Sequence, residues 1–415
     1  MNLEIRLAWR NVWRNPRRTA LSVAATVFAI FLVVLSVGMA DGVHEKMIED
    51  AVRISSGHVA ISGAGYRENM TLEQFVPWDG RVEAAIEGAE GLRGWAPRIT
   101  SFALLSLDDR SQGGMIVGVD PVRERSVTRF SEKLAEGRFL GDNWAPGERE
   151  LVLGRKLAAK LGARLGDEVL LYGVAYSLET AYELFTLVGT LALPDPRMEK
   201  GLAIIHLADA SDFYVYEGKI TEVALLATDA NHSDLLLSQV TAALDADFAG
   251  TLEVQGYAEM MPELVQFILL DDAGMYVTLV ILIVVVGFGI LNTILMAILE
   301  RAHELGVVLA LGLQPIKLFR MIYLESLMLA GVGLAIGLSL AVPLLAWLHG
   351  IEIPISGDMS KMTEFIGMEP VMTFTLRAAN PIISTLTILF VAALAALYPA
   401  LKASRARPVE ALRSL

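Results

Sequence analysis

Glu300-Arg301-Ala302-His303-Glu304 concentrates two carboxylates, a guanidinium and an imidazole in five residues. Groups of these types act as general acids and bases or as metal ligands. A zinc site takes three or four protein ligands, whereas the six histidines of this chain are scattered without ligand spacing and cysteine is absent. His303-Glu304 is therefore a lone pair, and we assign no metal site. No G-x-x-x-x-G-K-[ST] sequence, nucleophile elbow or H-E-x-x-H occurs, so no catalytic residue is assigned and no nucleotide site is expected in this chain. What distinguishes the run is its position. It follows the apolar stretch Ala273–Leu299 and precedes Phe319–Leu348. Charges in hydrocarbon cost several kcal/mol each, so the run lies at a membrane face. A short helix displayed there is a handle by which something outside the membrane moves the spans, which favours transport or signalling over catalysis.

Polar residues inside the spans have plainer readings. Asn292 suits an interhelical hydrogen bond worth roughly 1 kcal/mol, with a substrate contact as the alternative. Glu325 suits a neutral acid bonded to a neighbouring helix or a packing anchor, since one carboxylate makes no proton relay, with a proton site as the alternative. Gly333-x-x-x-Gly337 places small residues one turn apart and supports close helix approach. Met260, Met261 and Met275, with the apolar run Val280–Val286, read as lipid-facing or core surface, a substrate groove being the alternative.

These residues need a membrane frame, and composition supplies one. The 415 residues are 54% hydrophobic, with a mean hydropathy of +0.50. That is too apolar for one soluble globule and too polar for spans alone. Four stretches are long enough to cross a core of roughly 30 Å: Thr19–Ala40, Ala273–Leu299, Phe319–Leu348 and Ile382–Leu401. Residues 1–18 carry five basic groups and one acid, 300–320 three and two, and 400–415 four and one. The whole chain is nonetheless at −13, so the acidity falls on 41–272 and 349–380. The positive-inside bias then puts both termini and the Glu300 run in the cytoplasm and the long acidic stretch outside. No basic, aromatic-interleaved stripe points to nucleic acid.

The predicted organisation is a cytoplasmic amphipathic helix over 1–18, a first span over 19–40 and an extracytoplasmic domain over 41–272. A second span (273–299), the charged helix (300–318), a third span (319–348), an outer loop (349–381), a fourth span (382–401) and a cytoplasmic tail (402–415) follow. The fold class is an α-helical integral membrane protein with a large α+β domain inserted between helices 1 and 2. Alternation predicts strands at Gly57–Gly63, Ile99–Leu107, Gly114–Val119, Val169–Tyr172, Phe185–Leu193, Leu202–His206 and Leu252–Gln255. Helical spacing predicts helices at Asp41–Ile54, Arg81–Glu90, Val152–Gly162 and Ser233–Asp245. A strand-rich middle suggests divisions near Gly113 and Gly218. Both connections from domain to spans read as helical, so the domain sits on stiff stalks.

This order of parts resembles the FtsX/MacB-type superfamily of ABC transporter permeases, closest to its LolC/LolE lipoprotein-releasing branch. Leu7-Ala8-Trp9-Arg10-Asn11-Val12-Trp13-Arg14-Asn15-Pro16-Arg17-Arg18-Thr19 is similar to the amphipathic N-terminal helix of that family, and Glu300–Gly306 with Ala310-Leu311-Gly312 to its coupling helix. Tyr398–Ala403 followed by Arg407–Arg413 resembles its C-terminal signature. Gly118-Val119-Asp120-Pro121, Glu136-Gly137-Arg138 and the run from Leu153-Gly154 to Gly166-Asp167 resemble the outer domain of the LolC/LolE branch.

The resemblance implies a homodimer or heterodimer of permeases bound to a separate ABC ATPase, which holds the ATP and Mg, so this chain carries no cofactor. Closure of the ATPase pushes the coupling helices, and an outer-leaflet cargo is expelled by mechanotransmission. Glu300, Arg301, Glu304, Leu305, Gly306, Ala310 and Gly312 would then couple to the ATPase. Phe28, Phe31, Met275, Val280, Val284 and Phe288 would line a cleft for a lipoprotein or lipid. Asn292, Glu325, Gly333 and Gly337 would pack helices. The protein would sit in the bacterial inner membrane among lipids, with a periplasmic carrier or adaptor as a further partner. The LolC hairpin that hooks a chaperone contains proline, whereas Gly173–Glu183 is shorter and has none. Direct hand-off of that kind is therefore not expected, or the job falls to a different partner. The alternatives are MacB-like efflux of peptide or toxin, and signalling to a cell-wall hydrolase.

Overall fold

A computed structural model describes residues 9–10, 12–14, 16–143, 145, 147–248, 250–357, 360 and 369–405. The matches at Leu7-Ala8 and Arg407–Arg413, and the tail beyond residue 405, lie outside them. The chain divides into two compact units, the first holding the membrane helices and the second Glu45–Gln266 with Pro354–Val371. Helix α1 (Pro16–Val52) contributes to both. Proline at its first position is already set for helical φ. At 37 residues and 1.5 Å each it is roughly 55 Å long, well beyond a ~30 Å hydrocarbon core. The predicted span and the predicted helix after it are thus one element. It stops before Gly57, which takes φ +74° and lies so close to the Leu225 carbonyl that a Cβ would meet it at 2.2 Å.

The second unit is α+β. Its strands are β1 (Val59–Gly63), β2 (Val76–Pro77), β3 (Leu92–Leu107), β4 (Arg110–Val119), β5 (Leu134–Gly137), β6 (Glu150–Gly154), β7 (Glu168–Val174), β8 (Thr180–Leu191), β9 (Leu202–His206), β10 (Lys219–Ile220), β11 (Glu222–Ala227) and β12 (Leu252–Gly256). Ten of them form one sheet in the order β12-β1-β11-β3-β4-β9-β6-β8-β5, with β7 bonded to both β3 and β8. Those last two pairings close β3, β4, β9, β6, β8 and β7 into a ring. The sixteen residues of β3 make this possible: Leu92–Arg98 pair with β11 and Leu104–Ser106 with β7 on the same edge. Closure spares the strands of the ring the open edges of a flat sheet, while β12 and β5 remain the ends of the sheet. Helices α3 (Pro121–Val127), α4 (Arg155–Leu161) and α5 (Leu207–Tyr214) pack on strands of the ring, and α6 (Ser233–Phe248) packs on β12 and β1 with α2 (Arg81–Glu87) against it.

Three expectations change here. Gly113 lies inside β4, whose ladder with β3 runs unbroken from Arg98↔Val119 to Leu107↔Arg110, so no boundary falls there. Gly218 sits just before β10 and β11, and β11 belongs to the same sheet. The helix expected over Val152–Gly162 starts only at Arg155, because Glu150–Gly154 is a fully buried strand between β8 and β9. Helical spacing of its apolar residues lost to pairing on both sides, as happens when tertiary context sets strand formation. Gly162, at φ +74°, then ends α4 as expected.

A buried ion cluster ties this unit together. Arg98 donates to Glu124 at 2.6 and 3.1 Å and to the Ser55 carbonyl at 2.9 Å, and lies 3.4 Å from Glu222, which also pairs with Arg67 at 3.1 Å. Arg98 and Glu124 are 4% and 1% exposed. Removing one partner from such a pair strands a buried charge at a cost of roughly 3–5 kcal/mol, whereas an apolar pair of similar volume is often neutral. Arg98→Met is therefore expected to destabilise the protein by about that amount, and Arg98→Met with Glu124→Leu to recover most of it, as read by chemical unfolding followed through tryptophan fluorescence.

The first unit continues with α7 (Pro262–Glu300), α8 (Ala302–Ala310), α9 (Pro315–Leu348) and α10 (Ala379–Ser404). Four helices, α1, α7, α9 and α10, are long and apolar enough to cross a membrane among the described residues. Gly333 and Gly337 on α9 face α1. A Cβ on Gly333 would meet Thr26 Cβ at 2.6 Å, and one on Gly337 would meet Ile30 Cγ2 at 2.0 Å. The two glycines let α9 and α1 approach closely around Ala29, Ile30, Val33, Leu334 and Ala341. At the other end of α1, Gly38 accepts from the Thr375 N–H at 2.9 Å and Gly42 accepts from Thr373 Oγ1 at 2.7 Å. His44 lies 2.8 Å from Asp271 and 3.5 Å from Asp272 on α7, and Asn380 on α10 donates to Asp41 at 2.7 Å.

Candidate functional site: a charged helix between two membrane helices

Helix α7 ends at Glu300, and Arg301 (φ −109°, ψ 11°) turns the chain into α8. At the far end Gly312, at φ +96°, reverses it, and Pro315 opens α9. Apolar residues at Leu305 and Leu309 recur at helical spacing and lay one face of α8 on Leu318, Ile322, Ala400 and Ala403. Leu305 is 8% exposed, and Gly306 beside it is buried. Glu300, His303, Glu304 and Ala310 are exposed on the other side. So are Val307, Val308 and Leu311, the last at 82%. These three were not singled out from the sequence, although the i, i+3, i+4, i+7 spacing from Glu304 identifies them. They give the charged face an apolar strip of the kind that partners bury.

The charges are not all presented alike. Arg14 grips Glu304 with both terminal nitrogens, at 2.6 and 2.9 Å. The hydrogen bond from Arg14 holds the Glu304 carboxyl below the usual carboxylate range. Both groups stand in water. Arg301 instead turns inward: its side chain is 19% exposed, 3.6 Å from Glu325 on α9 and 3.5 Å from Glu304. Glu325 is itself buried, and the two line a cavity of about 30 Å³ with Ser22 and Ser326. Arg14, Glu304, Arg301 and Glu325 thus link the N-terminal segment, α8 and α9 by charge. Ahead of Arg14, Trp9 and Trp13 pack edge to face at 5.9 Å and remain about half exposed, the amphipathic side chains that favour a membrane–water interface.

Of the residues expected to line a cleft, Phe28, Val280, Val284 and Phe288 are exposed on α1 and α7, while Met275 and Phe31 are half-buried. Phe31 packs in the same apolar cluster as Leu279 and Leu282 of α7. Asn292 is exposed on α7. In the second unit, the outward side of β3, β7 and β8 carries Phe102, Leu104, Tyr172, Val174, Tyr182 and Leu184, each at least 42% exposed. Sheets solvated on one face ordinarily alternate to polar residues there. Phe102, Leu104, Tyr172 and Val174, with Leu178 at the β7–β8 tip, line an 820 Å³ trough. The hairpin without proline therefore presents an apolar surface, one that strand alternation identifies.

Long apolar helices bracketing a short charged helix, together with a separate α+β unit, are the parts of a membrane permease. Residues 19–243 match the MacB-like periplasmic core domain and residues 276–408 the FtsX-like permease C-terminal domain. The chain belongs to this MacB/FtsX-like family of ABC transporter permeases. It is 24% identical over 338 residues to the lipoprotein-releasing system transmembrane protein LolC of Neisseria meningitidis, covering 79% of each chain. It is 24% identical over 401 residues to LolE of Haemophilus influenzae, covering 92% of this chain and 91% of that one. Among solved structures, the periplasmic region of MacB from Actinobacillus actinomycetemcomitans covers 53% of this chain and 97% of that one, with a TM-score of 0.38 at 12% identity.

Proposed function

We propose that this chain couples ATP hydrolysis by a separate ABC ATPase to the release of a lipoprotein or lipid-like cargo from the outer leaflet of the bacterial inner membrane. The observation that carries this reading is α8, which buries Leu305 against α9 and α10 while offering Val307, Val308 and Leu311 beside Glu304 to a partner. Force on α8 enters α9 through Arg301 and Glu325 and enters α7 through the chain itself. Both α1 and α7 run as unbroken helices of 37 and 39 residues, long enough to serve as the stalks of a mechanotransmission device. In this reading both termini and α8 are cytoplasmic, the strand-rich unit is periplasmic and inserted between the first two spans, and two permeases pair as a homodimer or heterodimer. ATP and Mg belong to the ATPase.

The names of the relatives support a lipoprotein cargo, and the exposed faces of Phe28, Val280, Val284 and Phe288 supply apolar surface for acyl chains. Each buried CH₂ is worth ~0.8 kcal/mol, so emptying such a cleft needs the ATP-driven push. The apolar trough at β3, β7 and β8 then suits a carrier that takes the cargo.

Co-purification with the ATPase of the adjacent gene, mass spectrometry of what stays bound, and ATPase assays with added lipoprotein test this. Acylated protein in the complex and lipoprotein-stimulated hydrolysis are expected. A bound peptide or toxin would instead indicate MacB-like efflux. A co-purifying cell-wall hydrolase, with no acylated cargo and no stimulation, would indicate signalling.

A further inference from the structure

Arg53 follows α1 directly and is only 7% exposed. Its Nε has no hydrogen-bond partner, and its guanidinium makes no ion pair, among the described residues. Arg98, buried to a similar degree, holds both Glu124 and Glu222. A guanidinium taken out of water without a counterion is among the costliest things a protein can bury. Arg53 lines a cavity of about 230 Å³ with Arg93, His58, Glu45, Glu49 and Asp229. Two of those acids are engaged elsewhere, Glu49 by Arg129 at 3.1 Å and Asp229 beside His232 at 2.9 Å. Arg93 is exposed and likewise makes no ion pair among the described residues. His58 accepts the Ala227 N–H on Nδ1 at 3.3 Å, which leaves its proton on Nε2 as a donor. Burial pushes that imidazole down to about 4, so it is neutral at physiological pH.

We propose that this cavity seats a monovalent oxyanion, a carboxylate or phosphodiester group, gripped by Arg53 and Arg93. The guanidinium fork matches two oxygens of such a group, and the ligand supplies the counterion that Arg53 otherwise lacks. Burial lowers the Arg53 pKa first, and the like charges of Arg129 and Arg93 lower it further, ahead of the acids Glu49 and Glu132. Glu45, Glu49 and Asp229 on the wall raise the cost of a second negative charge, which selects a monoanion over divalent phosphate. The volume fits a small head group and excludes an acyl chain. The seat stands independently of the transport reading.

Full-length protein in detergent, matched for ionic strength with chloride, is titrated with dimethyl phosphate, acetate, dihexanoylphosphatidylglycerol and inorganic phosphate while melting is followed by tryptophan fluorescence. Dimethyl phosphate or acetate is expected to raise the melting temperature above the chloride control, and inorganic phosphate to do so less. Arg53→Met is expected to melt higher than the parent in chloride, because a lone buried charge is gone, and to lose the response. Arg93→Ser changes an exposed residue and carries the test if Arg53→Met does not fold. It is expected to melt like the parent in chloride and to need at least tenfold more ligand. A response confined to the phospholipid makes the anion a lipid head group, and an equal response to the free anions makes it a small solute. No response to any of the four, or a response that survives Arg53→Met or that Arg93→Ser leaves unweakened, overturns the proposal.

Discussion

Glu304→Lys is expected to cut ATP-driven cargo release at least tenfold while leaving the chain inserted in the membrane. Two contacts are lost together. The carboxylate no longer meets the ATPase surface, and the new ammonium faces Arg14, whose guanidinium now lies 2.6 Å from Glu304. Like charges at that spacing repel, and the N-terminal segment lets go of α8. Arg14→Glu separates the two contributions, because it breaks the same link and leaves Glu304 in place. We expect a partial loss from Arg14→Glu and partial recovery in the swap Arg14→Glu with Glu304→Arg, read as cargo release per ATP hydrolysed in reconstituted vesicles. An Arg14→Glu variant indistinguishable from the parent would leave Glu304 acting through the ATPase alone. A Glu304→Lys variant with normal release would refute the role of α8 as the handle.

Gly337→Leu is the second large effect. Even a Cβ there would stand 2.0 Å from Ile30 Cγ2 and 3.0 Å from the Val27 carbonyl, and a leucine adds three more carbons. Helices α1 and α9 must then separate, losing the contacts of Ile30, Val33 and Leu334 that the small residues allow. Membrane helices associate largely through such packing, since lipid offers no hydrophobic drive between them. Overpacking of this kind costs roughly 1–3 kcal/mol, and more where backbone is struck. The expected result is a lower melting temperature in detergent and a reduced yield of folded protein. Gly337→Ala with Ile30→Ala should recover much of the loss by removing the methyl that is struck. A Gly337→Leu variant as stable as the parent would show that α1 and α9 are not held by this contact.

What the sequence determined by itself is whatever repeats locally. Runs of apolar residues longer than a bilayer requires marked the four membrane helices, and the charges between two of them marked α8, but Leu305, expected to meet the ATPase, is turned inward onto α9 and α10. Strand alternation and flanking glycines marked much of the sheet. The small pair Gly333 and Gly337 announced close packing, though not against what. Tertiary structure decided everything that joins distant positions. It gave Glu304 a partner 290 residues away and turned Arg301 from the partner-facing side toward Glu325. It drew Glu150–Gly154 into a strand against the helical spacing of their neighbours and closed the ring by setting β7 on β3. It also left Arg53 buried with no ion pair among the described residues. The physical reason is the range of the forces. Periodicity records which face of an element avoids water, a property each segment carries alone, whereas charge pairing and strand order depend on which segments meet. Only the folded chain specifies that meeting.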